Sequence, residues 1–259
     1  VPHYYIILEV AAEAKDLLVS DLFDAGTTGI AETELPGDRF SLQASFDDAT
    51  AAAQFGVPVE VDNTDWVNMS HMAWKSRLVG ERFFLVPSWS EEPTPAGRWR
   101  INYQDGAACG SGEHPSTRQS LIAIEEFLRP GMRVLDFGCG AGLLSLGAKF
   151  LGAGFVVGVD VEEDSCRLTR QLSGVPVVLG SADCLASEQF DLVAANISAT
   201  VVIHFADEIL RTAKPGARII LAGFGVEEAV FVKQVFALGQ LTERTEGEWS
   251  CVVLDLPLN

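Results

Sequence analysis

An α/β fold with a doubly wound parallel sheet, preceded by a small α+β domain, is what this 259-residue sequence predicts. Three observations carry that expectation. Apolar runs at residues 133–137, 155–159, 175–179, 190–195 and 217–222 alternate with helical patterns, as strands of a parallel sheet do when helices cross between them. The tail 240–256 reads as two antiparallel strands around Glu246 and Gly247. The first sixty or so residues follow a different order, strand-helix-strand-strand-helix-strand, which is the split β-α-β pattern of a ferredoxin-like domain.

Taken in order, residues 4–10 alternate as a strand, and 13–23 carry Leu17, Leu18 and Leu22 at helical spacing before a stop at Gly26. Residues 28–34 and 39–46 form a hairpin across Pro36, Gly37 and Asp38. An alanine-rich helix over 48–55 and a short strand at 57–61 complete the small domain. A linker helix follows at 64–79, with Trp66 and Trp74 marking a packed face, and then an apolar strand at 82–86. The stretch 87–96, with its prolines and glutamates, reads as a boundary. The expected domains are therefore 1–62, a linker at 63–95, and 96–259.

The most informative local feature is the passage from the strand 133–137 into Gly138, Gly140 and Gly142 and then a helix over 143–151. Glycines there expose backbone N–H groups beside a helix N-terminus and let a ligand come close. Asp160 closes the next strand, 22 residues after Gly138, where a carboxylate can accept both hydroxyls of a ribose. The ligand expected is a nucleoside. A dinucleotide loop is spaced G-x-G-x-x-G, whereas this one is G-x-G-x-G with acidic Asp136 just before it. That combination suits a ligand with a positive centre and no phosphate, S-adenosylmethionine rather than a nicotinamide cofactor. Asp183 falls where a third strand end meets the adenine, and equally where a residue would cap a helix.

Composition narrows the setting. No apolar run approaches the roughly 20 residues that span a bilayer, and the first residues lack the basic and apolar regions of a signal peptide. No membrane association is expected. Cysteines at 109, 139, 166, 184 and 251 are odd in number and form no C-x-x-C pair, so they read as reduced thiols of a cytoplasmic protein. Histidines 3, 71, 114 and 204 show no metal-ligand spacing, and no metal is expected. Net charge is −18; residues 1–90 hold 14 acidic and 5 basic side chains, the other 169 hold 22 and 13, so the front third is nearly twice as densely charged. Such a field attracts basic partners and repels phosphate backbones, so direct nucleic-acid binding is not expected.

Two further motifs narrow the family. Residues 110–117 lead into a helix with Pro115 near its first turn and Thr117 able to offer a hydroxyl, and Asn196 opens an N-I-x-A motif ending at Ala199. With Trp66, Trp74 and the closing stretch 246–249, these resemble the PrmA family, methyltransferases of ribosomal protein L-eleven. The resemblance covers most of the chain and is strongest over 109–199. It implies a class I methyltransferase domain of Rossmann-like sheet tethered to a ferredoxin-like recognition domain, in agreement with the reading above. It implies that Thr117, Gly138, Asp160 and Asn196 hold the cofactor, to which the loop and strand spacing add Gly140, Gly142 and Asp183, and that the substrate is a basic ribosomal protein methylated on lysine and N-terminal amines. A monomer is expected. Ser111, Glu113 and Ser116 replace the threonines usual in the family; the serines keep the hydroxyl and Glu113 adds a charge.

Asn196 also separates this chain from enzymes that methylate exocyclic base amines, which often carry N-P-P-Y with an aromatic ring for an extruded base. Here the prolines and the aromatic are absent, and Asn196 is the candidate for positioning an aliphatic amine. His114 is a candidate base by residue type, and equally a fixer of the loop before Pro115. The competing readings are a related protein-lysine methyltransferase with another target and a cofactor-binding regulator without catalysis.

Overall fold

The computed structural model describes residues 3–61, 75–103, 112 and 114–258. The chain divides into two compact units, Val1–Ala73 and Trp74–Asn259.

In the first unit, strand β1 (His3–Ala11) leads into helix α1 (Ala12–Asp24), the hairpin β2 (Gly29–Leu35) and β3 (Arg39–Phe46), the short helix α2 (Ala49–Ala52) and strand β4 (Val59–Val61). The sheet order is β2-β3-β1-β4 with every neighbouring pair antiparallel. Alternation along β1 and β3 decides which face is dry: Ile6 sits opposite Ala44 and Leu8 opposite Leu42, and Ile6, Leu42, Ala44 and Phe46 bury against Leu22 of α1 and Ala52 of α2. Asp48 caps α2 by accepting from the Thr50 N–H at 2.9 Å. That helix runs for four residues, shorter than the 48–55 expected.

The expected linker falls into pieces. Most of the helix anticipated at 64–79, with Trp66 and Trp74, lies outside the described residues. Its last residues are not helical: Arg77–Val79 is strand β5, which pairs antiparallel with β6 (Phe83–Pro87), itself parallel to β7 (Trp99–Tyr103). The reason is local. Gly80 takes φ +55° and the Glu125 carboxylate accepts from the Glu81 N–H at 3.0 Å, so the chain reverses where a helix would continue. The stretch 87–96, anticipated as a domain boundary, lies inside the second unit, because it joins β6 to β7.

The rest of the second unit comprises α3 (Pro115–Phe127), β8 (Arg133–Phe137), α4 (Leu143–Phe150), β9 (Phe155–Asp160), α5 (Glu163–Ser173), β10 (Val177–Leu179), β11 (Phe190–Asn196), α6 (Ala199–His204), α7 (Ala206–Thr212), β12 (Ala213–Gly225), α8 (Val226–Val235), β13 (Gln240–Glu246) and β14 (Trp249–Asp255). Among the described residues these strands form a seven-stranded sheet in the order β10-β9-β8-β11-β12-β14-β13. The first five are parallel; β14 inserts antiparallel between β12 and β13. Opposite side chains of each strand feed two cores. Val134, Leu192 and Ile220 face Leu121, Ile124 and Leu144, while Leu135, Val193 and Leu221 face Val202, Ile209 and Val232. From β8 the chain winds to β9 on one side and to β11 on the other, so the carboxyl ends of β8 and β11 flank a topological switch point, the place where open parallel sheets bind ligands. Among the described residues no helix is long and apolar enough to cross a membrane.

Candidate active site

After β8 the chain turns through Gly138, Gly140 and Gly142, all with positive φ (+71°, +50° and +82°). Two of these positions also exclude a side chain by contact. A Cβ on Gly138 would lie 2.4 Å from Ile197 Cγ2, and one on Gly142 2.8 Å from Thr169 Cα. The loop is held by its neighbours: Gly138 and Cys139 donate their N–H groups to the Val159 carbonyl at 2.8 and 3.1 Å, and Thr169 Oγ1 donates to the Gly140 carbonyl at 2.9 Å. Asp160, at the end of β9, accepts the Gly140 N–H on Oδ2 at 2.9 Å and the Glu162 N–H on Oδ1 at 3.0 Å. Glycine loop and acid are thus one hydrogen-bonded unit.

A pocket of about 280 Å³ opens above the switch point, lined by Thr117, Asp136, Gly138, Cys139, Gly142 and Asn196 with apolar Ala141, Leu143 and Leu144. Asp136 is 2% exposed; its Oδ2 accepts from the Ser145 N–H at 2.9 Å and the Ser145 hydroxyl at 2.6 Å. Burial pushes its carboxyl up to about 7, against the pull of the two Ser145 bonds and with some help from the Asp160 charge. Burial likewise raises the Cys139 thiol, which stays protonated and inert. Asn196, at the end of β11, donates from Nδ2 to Thr117 Oγ1 at 3.3 Å, while its Oδ1 is buried with no partner among the described residues.

His114 is the N-cap of α3. Its Nδ1 accepts from the Ser116 N–H at 3.3 Å and lies 2.6 Å from Ser116 Oγ, and its ring meets Trp249 edge-on with centroids 4.1 Å apart. Burial, and then the nearby Arg118 charge, lower its pKa. The ring is a neutral structural cap that fixes the chain before Pro115. Arg118 in turn pairs with Glu246, its Nε donating to Oε1 at 3.1 Å.

Of the residues anticipated from sequence, Thr117, Gly138, Gly142 and Asn196 line one pocket, and Gly140 is joined to Asp160 through its N–H. Asp183 is exposed on a 3-10 turn, Ala182–Cys184, away from the pocket lining, and Ser181 rather than Asp183 holds the cap position of that turn. Glu113, Gly110 and Ser111 lie outside the described residues. Among the described residues the lining includes the Asp136 carboxylic side chain and Asn196, whose Oδ1 is unpartnered, and no basic side chain. That set fits a cationic nucleoside and does not fit a phosphate.

A family model described as Ribosomal protein L11 methyltransferase (PrmA) matches residues 12–256. The chain belongs to that family. A ribosomal protein L11 methyltransferase of Burkholderia multivorans is 36% identical over 181 residues, 69% of this chain and 60% of that protein. Another, of Burkholderia thailandensis, is 35% identical over 234 residues, 89% of this chain and 71% of its own length. The chain therefore spans about 60% of the first of these relatives. Among solved structures, a ribosomal protein L11 methylase from Lactobacillus delbrueckii subsp. bulgaricus aligns with TM-score 0.65 at 19% identity, covering 71% of this chain and 98% of that one. The shared fold is the class I methyltransferase sheet.

Several residues of the PrmA-family site escaped sequence reasoning. Ser145 is the one polar residue in the apolar start of α4, which was the available signal for a buried partner of Asp136. Ile197 occupies the space that Gly138 leaves. Val161 and Leu179, 70% and 55% exposed, stand beside Asp160, Leu179 being its register partner on β10. Nothing in a single sequence marks two valine- and leucine-rich strand ends as neighbours of that acid.

Proposed function

We propose that this chain transfers methyl groups from S-adenosylmethionine to lysine side-chain and N-terminal amines of a basic ribosomal protein of the L11 type. The observation that carries this reading is the buried Asn196 Oδ1, without a partner among the described residues, on a side chain that lines the same pocket as Asp136. A buried acceptor left unpaired costs about 1–3 kcal/mol, and an amine N–H brought by a ligand would satisfy it. The family and its named relatives support the substrate class.

S-adenosylmethionine, when bound, supplies an electrophilic methyl group. The protein's own part is to bind, orient and keep dry. Gly138, Gly140 and Gly142 let the nucleoside approach the backbone, and Asp160 keeps lone pairs for ribose hydroxyls beyond those used by Gly140 and Glu162. Val161 and Leu179, beside Asp160, form the edge on which the adenine rests, and Asp183, outside the pocket lining, would meet it only from the exposed turn after β10. Thr117 aligns the Asn196 amide, so that Oδ1 points at the incoming amine. A lysine is neutral to only about one part in two thousand at pH 7, a cost of roughly 4–5 kcal/mol, part of which desolvation removes. With His114 engaged as a cap, alignment rather than a dedicated base supplies most of the rate.

The first unit, which we read as ferredoxin-like from its strand order, is the recognition element for the basic substrate. The protein acts as a cytoplasmic monomer. Incubation with labelled S-adenosylmethionine and purified ribosomal proteins tests the proposal: label should enter lysine or N-terminal amines of the L11-type protein. A chain that binds the cofactor and labels none of them would be a binding protein, and label in another protein would move the assignment to a different target.

A further inference from the structure

Asp136 belongs to β8, and its carboxyl looks two ways. Oδ2 is saturated by both hydrogen bonds from Ser145 of α4, while the residue also lines the ligand pocket beside Asn196 and Thr117. Among the described residues, the titratable groups facing it are the Asp160 carboxyl at the end of β9 and the Cys139 thiol of the glycine loop. Ser145 on α4, Asn196 on β11 and Thr117 on α3 are uncharged, as are its register neighbours Ala194 and Gly158. Among the described residues the charge acting on it is that of Asp160, which has its own sign. A nearly inaccessible carboxyl in that company holds a charge far more readily when a cation enters the pocket.

We propose that Asp136 distinguishes the sulfonium nucleoside from the neutral thioether it becomes after methyl transfer, meeting the first as a carboxylate and the second as a neutral acid. The proposal rests on the cofactor reading given above. One proton leaves Asp136 for solvent when the cation binds, and one returns when the thioether takes its place, so the pocket carries no net charge from this pair in either state. Burial places the carboxyl at about 7, within reach of both forms at neutral pH. Product would then be held more tightly, relative to cofactor, as the solution becomes more acidic.

Titration calorimetry on the intact chain, with S-adenosylmethionine and S-adenosylhomocysteine, tests this from about pH 5.5 to 7.5 in buffers of differing ionisation enthalpy. Near pH 6, binding of the sulfonium form should release close to one proton, and binding of the thioether close to none. The ratio of their Kd values should move in favour of the thioether by up to about tenfold per pH unit on the acid side. Asp136→Asn should make the ratio independent of pH; if that variant does not fold, the proton counts on the unaltered protein decide alone. Equal proton release for both ligands overturns the proposal, because Asp136 would then be reading the amino group that they share. If neither ligand binds, the cofactor reading itself falls, and this inference with it.

Discussion

The side-chain amide of Asn196 donates to Thr117 Oγ1 at 3.3 Å, tying the end of β11 to the first turn of α3 across 79 residues of sequence. The bond fixes which way the amide faces and leaves Oδ1 buried and without a partner among the described residues, on a side chain that lines the pocket. Asn196→Ala should lower turnover by roughly ten- to a hundredfold, the worth of about 1.5–3 kcal/mol for a hydrogen bond to a charged group, with a smaller change in cofactor affinity. Single-turnover rates and calorimetry on the same variant separate the two; equal losses in both would make Asn196 a cofactor contact only.

Asp160 serves the loop through two backbone hydrogen bonds, and the proposed ribose contact would be its second task. Asp160→Asn replaces one of two acceptors with a donor, which must face either the Gly140 or the Glu162 N–H. Cofactor affinity should fall by about 1.5–3 kcal/mol. Calorimetry that finds unchanged affinity in the folded variant would remove Asp160 from the ribose site.

Gly138 and Gly142 predict different outcomes for the same substitution. Gly138→Ala meets a side-chain methyl of Ile197, so adding Ile197→Ala should recover part of the lost stability, though the positive φ still costs about 1 kcal/mol. Gly142→Ala meets the backbone of Thr169, where trimming a side chain does not help. Urea denaturation of the two singles and of the Gly138→Ala, Ile197→Ala pair tests the difference; additive losses in the pair would refute the contact.

Stability of the ligand-free protein should fall as pH rises through the range set by Asp136. Its folded pKa, about 7, lies above the ordinary 3.8, so between those values the folded chain keeps a proton that the unfolded chain gives up. The contribution is complete below the ordinary value and lost as pH climbs through about 7, on the order of 4 kcal/mol across the window at 1.36 kcal/mol per unit. His114, whose pKa is lowered, works in the opposite sense on the acid side. The Asp136 share is therefore read as the difference between the unaltered protein and Asp136→Asn, in denaturation curves near pH 5 and pH 8. A difference that does not depend on pH would mean that the carboxyl titrates normally.

The front unit should govern protein capture and not cofactor binding. A chain beginning near Trp74 should bind S-adenosylmethionine as the whole chain does and methylate intact L11-type protein poorly. With the whole chain, methylation should slow as salt rises, since attraction between opposite charges is screened beyond about 8 Å at physiological ionic strength. A folded truncated chain that is fully active on the intact substrate would return the acidic surface to a role in solubility.

Much of this was readable in the sequence because it is written in short range. The strand into Gly138, the acid at Asp160 and the alternation of the later elements each lie within one stretch, and the sheet forms where they indicated. The strand at Arg77–Val79 was misread because its outcome depends on Glu125, a residue more than forty positions away that turns the chain at Gly80. The pairing of Asp136 with Ser145 and of Asn196 with Thr117 was hidden for the same reason: a hydrogen bond between distant elements leaves no periodicity behind. Exposed Val161 and Leu179 carry no chemical signature at all, and only their place beside Asp160 gives them meaning.

Insertion of β14 between β12 and β13 has a consequence for the order of events during synthesis. Strand β13 emerges from the ribosome first, yet among the described residues it pairs only with β14, so it must wait as an unpaired strand until residues 249–255 follow. Until then β12 also keeps an open edge, a template for wrong partners. The parallel strands on either side of the switch point are complete by β12, so the glycine loop and Asn196 can be assembled while the far side of the sheet is still unfinished. A nascent chain halted in the turn at Glu246 and Gly247 would be the stage most exposed to aggregation, although its ligand pocket was already built.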